Sequence, residues 1–184
     1  MAELIAKTSL AGRAMLTRGG LRLSEAAVGP ITSIAMFPGQ DKAMARILRP
    51  LGLAFPAPNR MVAKGSASLV WAGRDLAFLL GPAAPDIPAS VAAVTDQSDG
   101  WATLTLEGAG ADDALMRLVP IDLAVAQFGV NEVRRAPLYH MQCILCRMAP
   151  NRFDLMVFRS MARTAWHDID TAMTTVEARA ARPK

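Results

Sequence analysis

Apolar runs of strand length come in close pairs along this chain, each pair separated by a few turn-forming residues, and this spacing restricts the fold more than any other feature. Ser66–Ala72 and Leu76–Leu80 flank a turn at Gly73-Arg74. Val91–Thr95 and Trp101–Leu106 flank Asp96-Gln97-Ser98-Asp99-Gly100, and Tyr139–Met148 and Phe153–Phe158 flank Ala149-Pro150-Asn151-Arg152. Connections this short join antiparallel neighbours, because a parallel pair needs a crossover of a dozen residues or more. In the second pair Ala102, Leu104 and Leu106 alternate with Trp101, Thr103 and Thr105, the period of a half-buried strand.

Helices stand between and after these pairs. Ile31–Phe37 reads as a strand stopped by Pro38-Gly39. Asp41 then caps a helix whose Met44, Ile47, Leu48 and Leu51 share one face until Pro50 and Gly52 end it. Phe55–Asn59 is a Pro-rich loop. Asp112 opens a helix to about Val119, where Pro120 stops it, and a short helical turn over Ala124–Gln127 closes at Gly129. The longest helical pattern comes last: Ala162, Ala165, Trp166, Ile169, Ala172, Met173 and Val176 form one stripe, with Ser160 as its N-cap and a charged tail after Ala178. Pro82, Pro85 and Pro88 forbid a regular helix between the first two hairpins. These elements give an α+β fold of two small lobes with largely antiparallel sheets and packed helices. The expected organisation is an N-terminal arm over 1–30, a first lobe over 31–88 and a second lobe over 89–184.

Composition excludes several classes of function. Hydrophobic residues make up 52% of the 184 and charged residues only 20%, which predicts a large core, a large partner interface, or both. No apolar run reaches the roughly 18 residues of a membrane helix. Leu76–Pro85 is short and broken by Gly81, Pro82 and Pro85. The first thirty residues carry Glu3, Lys7, Arg13, Arg18, Arg22 and Glu25, so they hold no signal-peptide core, and a cytoplasmic protein is expected. The net charge of +4 is spread thinly, and only 5% of residues are aromatic, too few for a base-stacking platform. An RNA-binding adaptor would need Arg clustered on one face, which the spacing does not provide. Only four of the 20 basic residues are Lys; the rest are Arg, whose planar fork suits protein interfaces.

The chemistry-bearing residues are few. Cys143 and Cys146 form a C-x-x-C inside an apolar run. Residues three apart in a strand point to opposite faces about 10 Å apart, beyond disulfide reach, so both read as core cysteines. A zinc site needs four ligands, and only His140 and His167 stand beside these two Cys. His140 is expected in the same strand as Cys143, facing the other way. No nucleophile elbow and no phosphate-binding glycine loop occurs.

One further segment is distinctive. Leu115–Gly129 reads LMRLVPIDLAVAQFG. Its RLVPIDL and QFG, together with the later VFRSMA at Val157–Ala162, resemble the gamma subunits of heterotetrameric sarcosine oxidases. The resemblance covers the C-terminal half by motif and the N-terminal half by order of elements. It implies the folate-binding fold of the aminomethyltransferases in reduced form. Asp122-Leu123 with Gly129, Gly108 with Ala111 and Leu115, and Asp96 with Ser98 match motifs of that wider family, in which an Asp placed like Asp122 contacts folate. The chain is about half the length of those enzymes and lacks the rest of their folate pocket. Asp122 is therefore expected to be a helix cap and a relic of a folate site.

The resemblance further implies a subunit with no catalytic, cofactor-binding or metal-binding residue of its own. It would be the structural member of a tetrahydrofolate-linked sarcosine oxidase that converts sarcosine to glycine. FAD, FMN, NAD, zinc and tetrahydrofolate would belong to the other subunits, and its partners would be the alpha, beta and delta chains, with no nucleic acid and no membrane. Related dehydrogenases of other N-methyl amino acids use similar subunit sets, so the substrate is not fixed by this chain. The alternative is a free folate-binding protein of one-carbon or iron–sulfur metabolism. That protein would need an intact pocket and a reactive Cys in an exposed loop.

Overall fold

The computed structural model describes Ile5 and residues 7–181. Among these, the strands in chain order are β1 (Leu16–Arg18), β2 (Leu21–Glu25), β3 (Ile31–Met36), β4 (Met61–Lys64), β5 (Ala67–Gly73), β6 (Leu76–Leu80), β7 (Ala92–Asp96), β8 (Trp101–Glu107), β9 (Val133–Leu138), β10 (Met141–Ala149) and β11 (Arg152–Phe158). The α-helices are α1 (Asp41–Leu48), α2 (Ala111–Leu115) and α3 (Ala162–Ala180). The strands form two antiparallel sheets, one of six strands in the order β1-β2-β8-β11-β10-β9 and one of five in the order β4-β5-β6-β3-β7.

The two sheets stack face to face, with helices on both outer faces. On the six-stranded sheet, Leu104 and Leu106 of β8, Cys143 and Leu145 of β10, and Phe153, Leu155 and Val157 of β11 pack against the α3 stripe and against Ala111, Ala114 and Leu115 of α2. The α3 residues buried there are Ala162, Ala165, Trp166, Ile169, Ala172 and Met173, the stripe the sequence marks out. The opposite face of the same strands presents Ile144, Cys146 and Met156 to Ile31, Val70, Phe78 and Leu80 of the five-stranded sheet. Beyond that sheet, Ile34, Leu69, Ala77 and Leu79 pack on Met44 and Leu48 of α1. Strands buried on both faces need apolar side chains at consecutive positions, and this explains unbroken runs such as LAFLL and CILC.

The sheets are joined at two places. At one, Arg135 of β9 donates to the Ala72 carbonyl of β5 at 2.9 Å, Met61 N–H donates to Asn131 O at 3.0 Å and Val133 N–H to Asn59 O at 2.9 Å. At the other, Ser98 Oγ accepts from Ile31 N–H at 3.0 Å and Gln97 N–H donates to Ile31 O at 2.8 Å. Asp96 holds this second corner, accepting from both the amide and the hydroxyl of Ser98 at 2.9 and 2.6 Å.

That corner overturns one sequence expectation. Val91–Thr95 and Trp101–Leu106 do not form a hairpin: β7 pairs with β3, whereas β8 pairs with β2 and β11. The Asp96–Ser98 turn, tied to Ile31, carries the chain from one sheet to the other. The division of the chain shifts with it, because β7 stays with the first sheet and the change of sheet falls at 97–100 rather than between Pro82 and Pro88. The expected arm over 1–30 is likewise part of the six-stranded sheet, although residues 1–4 and 6 lie outside the described residues. β2 pairs with β8, Leu10, Leu21 and Leu23 are buried, and Arg18 pairs with Asp170 of α3 while Glu177 accepts from Gly19 N–H at 2.9 Å. Short, polar-interrupted strands such as LTR and LRLSE carry too little periodicity to be recognised alone.

Smaller differences concern strand number and helix starts. β4 and β9 were not expected; Pro137 lies within β9, which a sheet edge tolerates. Asp41 is the first residue of α1 rather than its cap, and Gln40 in the cap position makes no side-chain bond. Ser160 sits inside a 3-10 turn over Arg159–Met161 that leads into α3, so it does not cap that helix. His140 lies exposed in the β9–β10 turn, outside the strand that holds Cys143. Leu53 and Pro56 are buried, so the Pro-rich loop is anchored to the core near its start.

Close backbone approach fixes Gly81. It has φ +102°, and a Cβ there would lie 2.1 Å from the Ser66 carbonyl oxygen. Gly81→Ala is expected to destabilise the chain by roughly 1–3 kcal/mol through backbone strain alone, with the clash adding to it. A denaturation midpoint equal to that of the wild type would contradict this packing.

Candidate inter-sheet site

The face of β8 opposite the α3 core carries Thr103 and Thr105, which the alternation pattern suggests are solvated. They are 3% and 5% exposed, because the five-stranded sheet covers them. Register continues this polar row across the sheet: Thr105 lies opposite Asp154 of β11, and Asp154 lies opposite Cys146 of β10. Side chains directly opposite on one face are neighbours. A carboxyl group is thus held between the sheets.

Around it lies a cavity of about 310 Å³, at the lower end of the size range of small-molecule sites, which starts at about 300 Å³. Met61, Val70, Leu80, Met148 and Met156 form its apolar walls, and Thr103, Asp154, Cys146, Ser66 and Ser68 bring polar atoms to it. Ala27 and Ser66 are exposed, so the cavity opens between the segment after β2 and the β4–β5 turn.

Asp154 Oδ1 accepts from Thr105 Oγ1 at 2.7 Å, and Arg152 Nε stands 4.0 Å from that same oxygen. Oδ2 has no hydrogen-bond partner among the described residues. Burial raises the carboxyl above its ordinary value of 3.8; the Thr105 bond and Arg152 oppose the shift, and Glu107 adds to it. Thr103 Oγ1 is buried with no hydrogen-bond partner. Cys143 and Cys146 fall on opposite faces of β10, one in the α3 core and one between the sheets. Burial pushes the Cys143 thiol up to about 12 and raises Cys146 well above the usual thiol range, with Asp154 adding to the latter. Thiols so shifted are poor nucleophiles and poor metal ligands at neutral pH.

Asp122 stands apart from the cavity. It is exposed, and its Oδ1 accepts from Ala124 N–H at 2.8 Å, capping the turn in which Gln127 and Phe128 N–H donate to Ala124 O. Arg147, fully buried, fastens this segment by donating to the carbonyls of Leu123 and Pro150, with its guanidinium 4.4 Å from the Phe153 ring centre and 5.5 Å from that of Phe128. Of the other residues expected to match folate-binding motifs, Gly108 serves close packing, since its Cβ would lie 2.4 Å from Gly20 O, and Asp96 with Ser98 forms the corner between the sheets. None of these residues lines the cavity. Sequence reasoning missed Asp154, whose one signal is a carboxylate embedded in the apolar run FDLMVF. Among the described residues no group of three or more His, Cys, Asp or Glu side chains could hold a metal ion, and no helix is long and apolar enough to cross a membrane.

Two stacked antiparallel sheets flanked by helices define an α+β protein. The match that narrows the class is the "Sarcosine oxidase, gamma subunit family", which covers residues 38–175. This chain belongs to that family. A heterotetrameric sarcosine oxidase from Corynebacterium sp. U-96, solved in complex with pyrrole 2-carboxylate, contains a chain of the same fold. The TM-score is 0.77 at 23% identity, over 92% of this chain and 90% of that one. An aspartate kinase from Clostridium acetobutylicum matches with a TM-score of only 0.37 at 14% identity, over 91% of this chain and 36% of that one, too low for a shared fold. No curated protein matches the chain in sequence.

The raised Asp154 carboxyl sets a pH dependence. Between its ordinary value and its raised folded value, the folded chain holds a proton that the unfolded chain has lost, so stability falls as pH rises through that window and stays lower above it. Asp154→Asn, which still accepts from Thr105, removes this loss. The variant is expected to melt higher than wild type at neutral pH, with the difference shrinking as pH drops below the window. An equal difference at both ends of the scale would contradict the burial of this charge.

Proposed function

We propose that the chain is the non-catalytic gamma subunit of a heterotetrameric, tetrahydrofolate-linked sarcosine oxidase that oxidatively demethylates sarcosine to glycine in the cytoplasm. The family match over residues 38–175 carries this reading. Its partners are the alpha, beta and delta subunits, which hold FAD, FMN, NAD, zinc and tetrahydrofolate. The chemistry of the chain itself supports the division of labour. Both thiols are buried and held protonated, and Asp122 spends its carboxylate on a backbone turn. Asp122 is a structural residue in this assembly.

A partner surface is available at one end of the molecule. Met116, Val125 and Val130 project from the segment between α2 and β9, each 40% exposed or more. Tyr139, 53% exposed, stands on the β9–β10 turn, whose amide donates to Leu118 O at 2.9 Å and so brings the turn to that segment. Apolar and aromatic side chains gathered in this way suit the desolvated centre of an interface.

Co-expression of the chain with flavin-bearing partners, followed by affinity purification and assay of sarcosine-dependent flavin reduction, tests the proposal. Wild type and Asp122→Asn are expected to co-purify in stoichiometric amounts and to support equal turnover. Met116→Asp combined with Tyr139→Asp is expected to weaken assembly at least about tenfold, or 1.4 kcal/mol, while leaving the melting of the free chain unchanged. Failure of the wild type to co-purify would overturn the subunit reading. Loss of turnover in Asp122→Asn at full assembly would overturn the non-catalytic role.

A further inference from the structure

We propose that the inter-sheet cavity is a binding site for a small molecule with an apolar body and one protonated amine or amidine group, which donates to Asp154. This inference does not depend on assembly with other subunits, because the site is built within one chain.

The cavity opens to solvent between Ala27 and Ser66, so a small molecule can enter it. Its polar groups have unused hydrogen-bonding capacity. Asp154 commits Oδ1 to Thr105 and leaves Oδ2 without a partner among the described residues, while Thr103 Oγ1 is buried and unpartnered. A buried polar atom without a partner, such as Thr103 Oγ1, is rare in folded proteins and points to a missing group, and Asp154 lines the same cavity.

The character of that group follows from the lining. Arg152 Nε stands 4.0 Å from the oxygen that Thr105 already occupies, and among the described residues no side-chain cation pairs with Oδ2. A ligand that donates N–H and carries positive charge completes the site. A carboxylate or phosphate would place like charge beside Asp154 in a poorly solvated space and is excluded. Met61, Met148 and Met156 give adaptable apolar walls for a flat or irregular body. The volume limits that body to about the size of one substituted ring. Burial raises the proton affinity of Asp154, so a cationic ligand also restores the ionised form it needs.

Benzamidine serves as the probe, with benzoate as its anionic counterpart of equal shape. The full-length chain, carrying 13C-methyl methionine, is titrated with each and followed by NMR at neutral pH. Benzamidine is expected to shift the methyl signals of Met61, Met148 and Met156, and benzoate to leave them in place. Asp154→Asn, which preserves shape and the Thr105 bond, is expected to weaken benzamidine binding at least about tenfold. Thr103→Val, which removes only the unpartnered hydroxyl, is expected to weaken it by a smaller factor without loss of stability. Unmoved Met61, Met148 and Met156 signals would show a cavity that holds only water, and the proposal would fall. Equal binding of benzoate, or unchanged affinity in Asp154→Asn, would also overturn it. Retained assembly with flavin-bearing partners alongside any of these outcomes would leave the subunit reading standing.

Discussion

The fold depends on burying both faces of β8, β10 and β11. Their odd and even side chains serve different cores, one shared with α2 and α3 and one shared with the second sheet. Each fully buried Leu, Ile, Phe or Met on these strands contributes about 1.5–3 kcal/mol relative to exposure. A shift of register by one residue would exchange the two cores along with the polar row of Thr105, Asp154 and Cys146. Two helices and the five-stranded sheet therefore take their places from one set of strand pairings. The long final helix, although it has the most regular pattern in the sequence, is placed by those strands.

Polar residues in the inter-sheet layer set its chemistry. Asp154 and Thr103 bring polar atoms into a largely apolar contact, and a cavity lies beside them. The same layer keeps Cys146 unreactive, since burial and the nearby carboxylate both oppose its ionisation. Arg147 solves a related problem on the other face. A guanidinium with no carboxylate partner among the described residues lies against two phenyl rings and gives protons to backbone carbonyls, tying the segment that contains Asp122 to the β10–β11 hairpin. The motif resembling the folate-binding enzymes is thus held in place by packing at a distance from the cavity.

Much of this was legible in the sequence. The α3 stripe, the buried face of α1, the two hairpins β5–β6 and β10–β11, and the opposite facing of Cys143 and Cys146 all follow from periodicity, which is a local property. What escaped was non-local. β1 and β2 are too short to announce themselves and exist because β8 and α3 receive them. The turn at Asp96–Ser98 has the composition of a hairpin loop, yet its bond to Ile31 sends the chain to another sheet. The alternation in β8 was read correctly as two faces and wrongly as one dry and one wet, because nothing in β8 itself reveals a second sheet above it. Asp154 was hidden for the same reason. Of the site proposed here, the sequence showed Cys146 as core and Thr103 on the face that reads as solvated.

Native-state hydrogen exchange tests most directly whether the two sheets depend on one shared layer. Amides in the centre of β10 and β11, such as Leu145 and Leu155, and those of β6, such as Phe78 and Leu80, are expected to exchange through the same global opening with the same free energy. Opening of β6 at a markedly lower free energy than β10 and β11 would contradict the account, since it would mean that the five-stranded sheet separates while the six-stranded sheet remains intact.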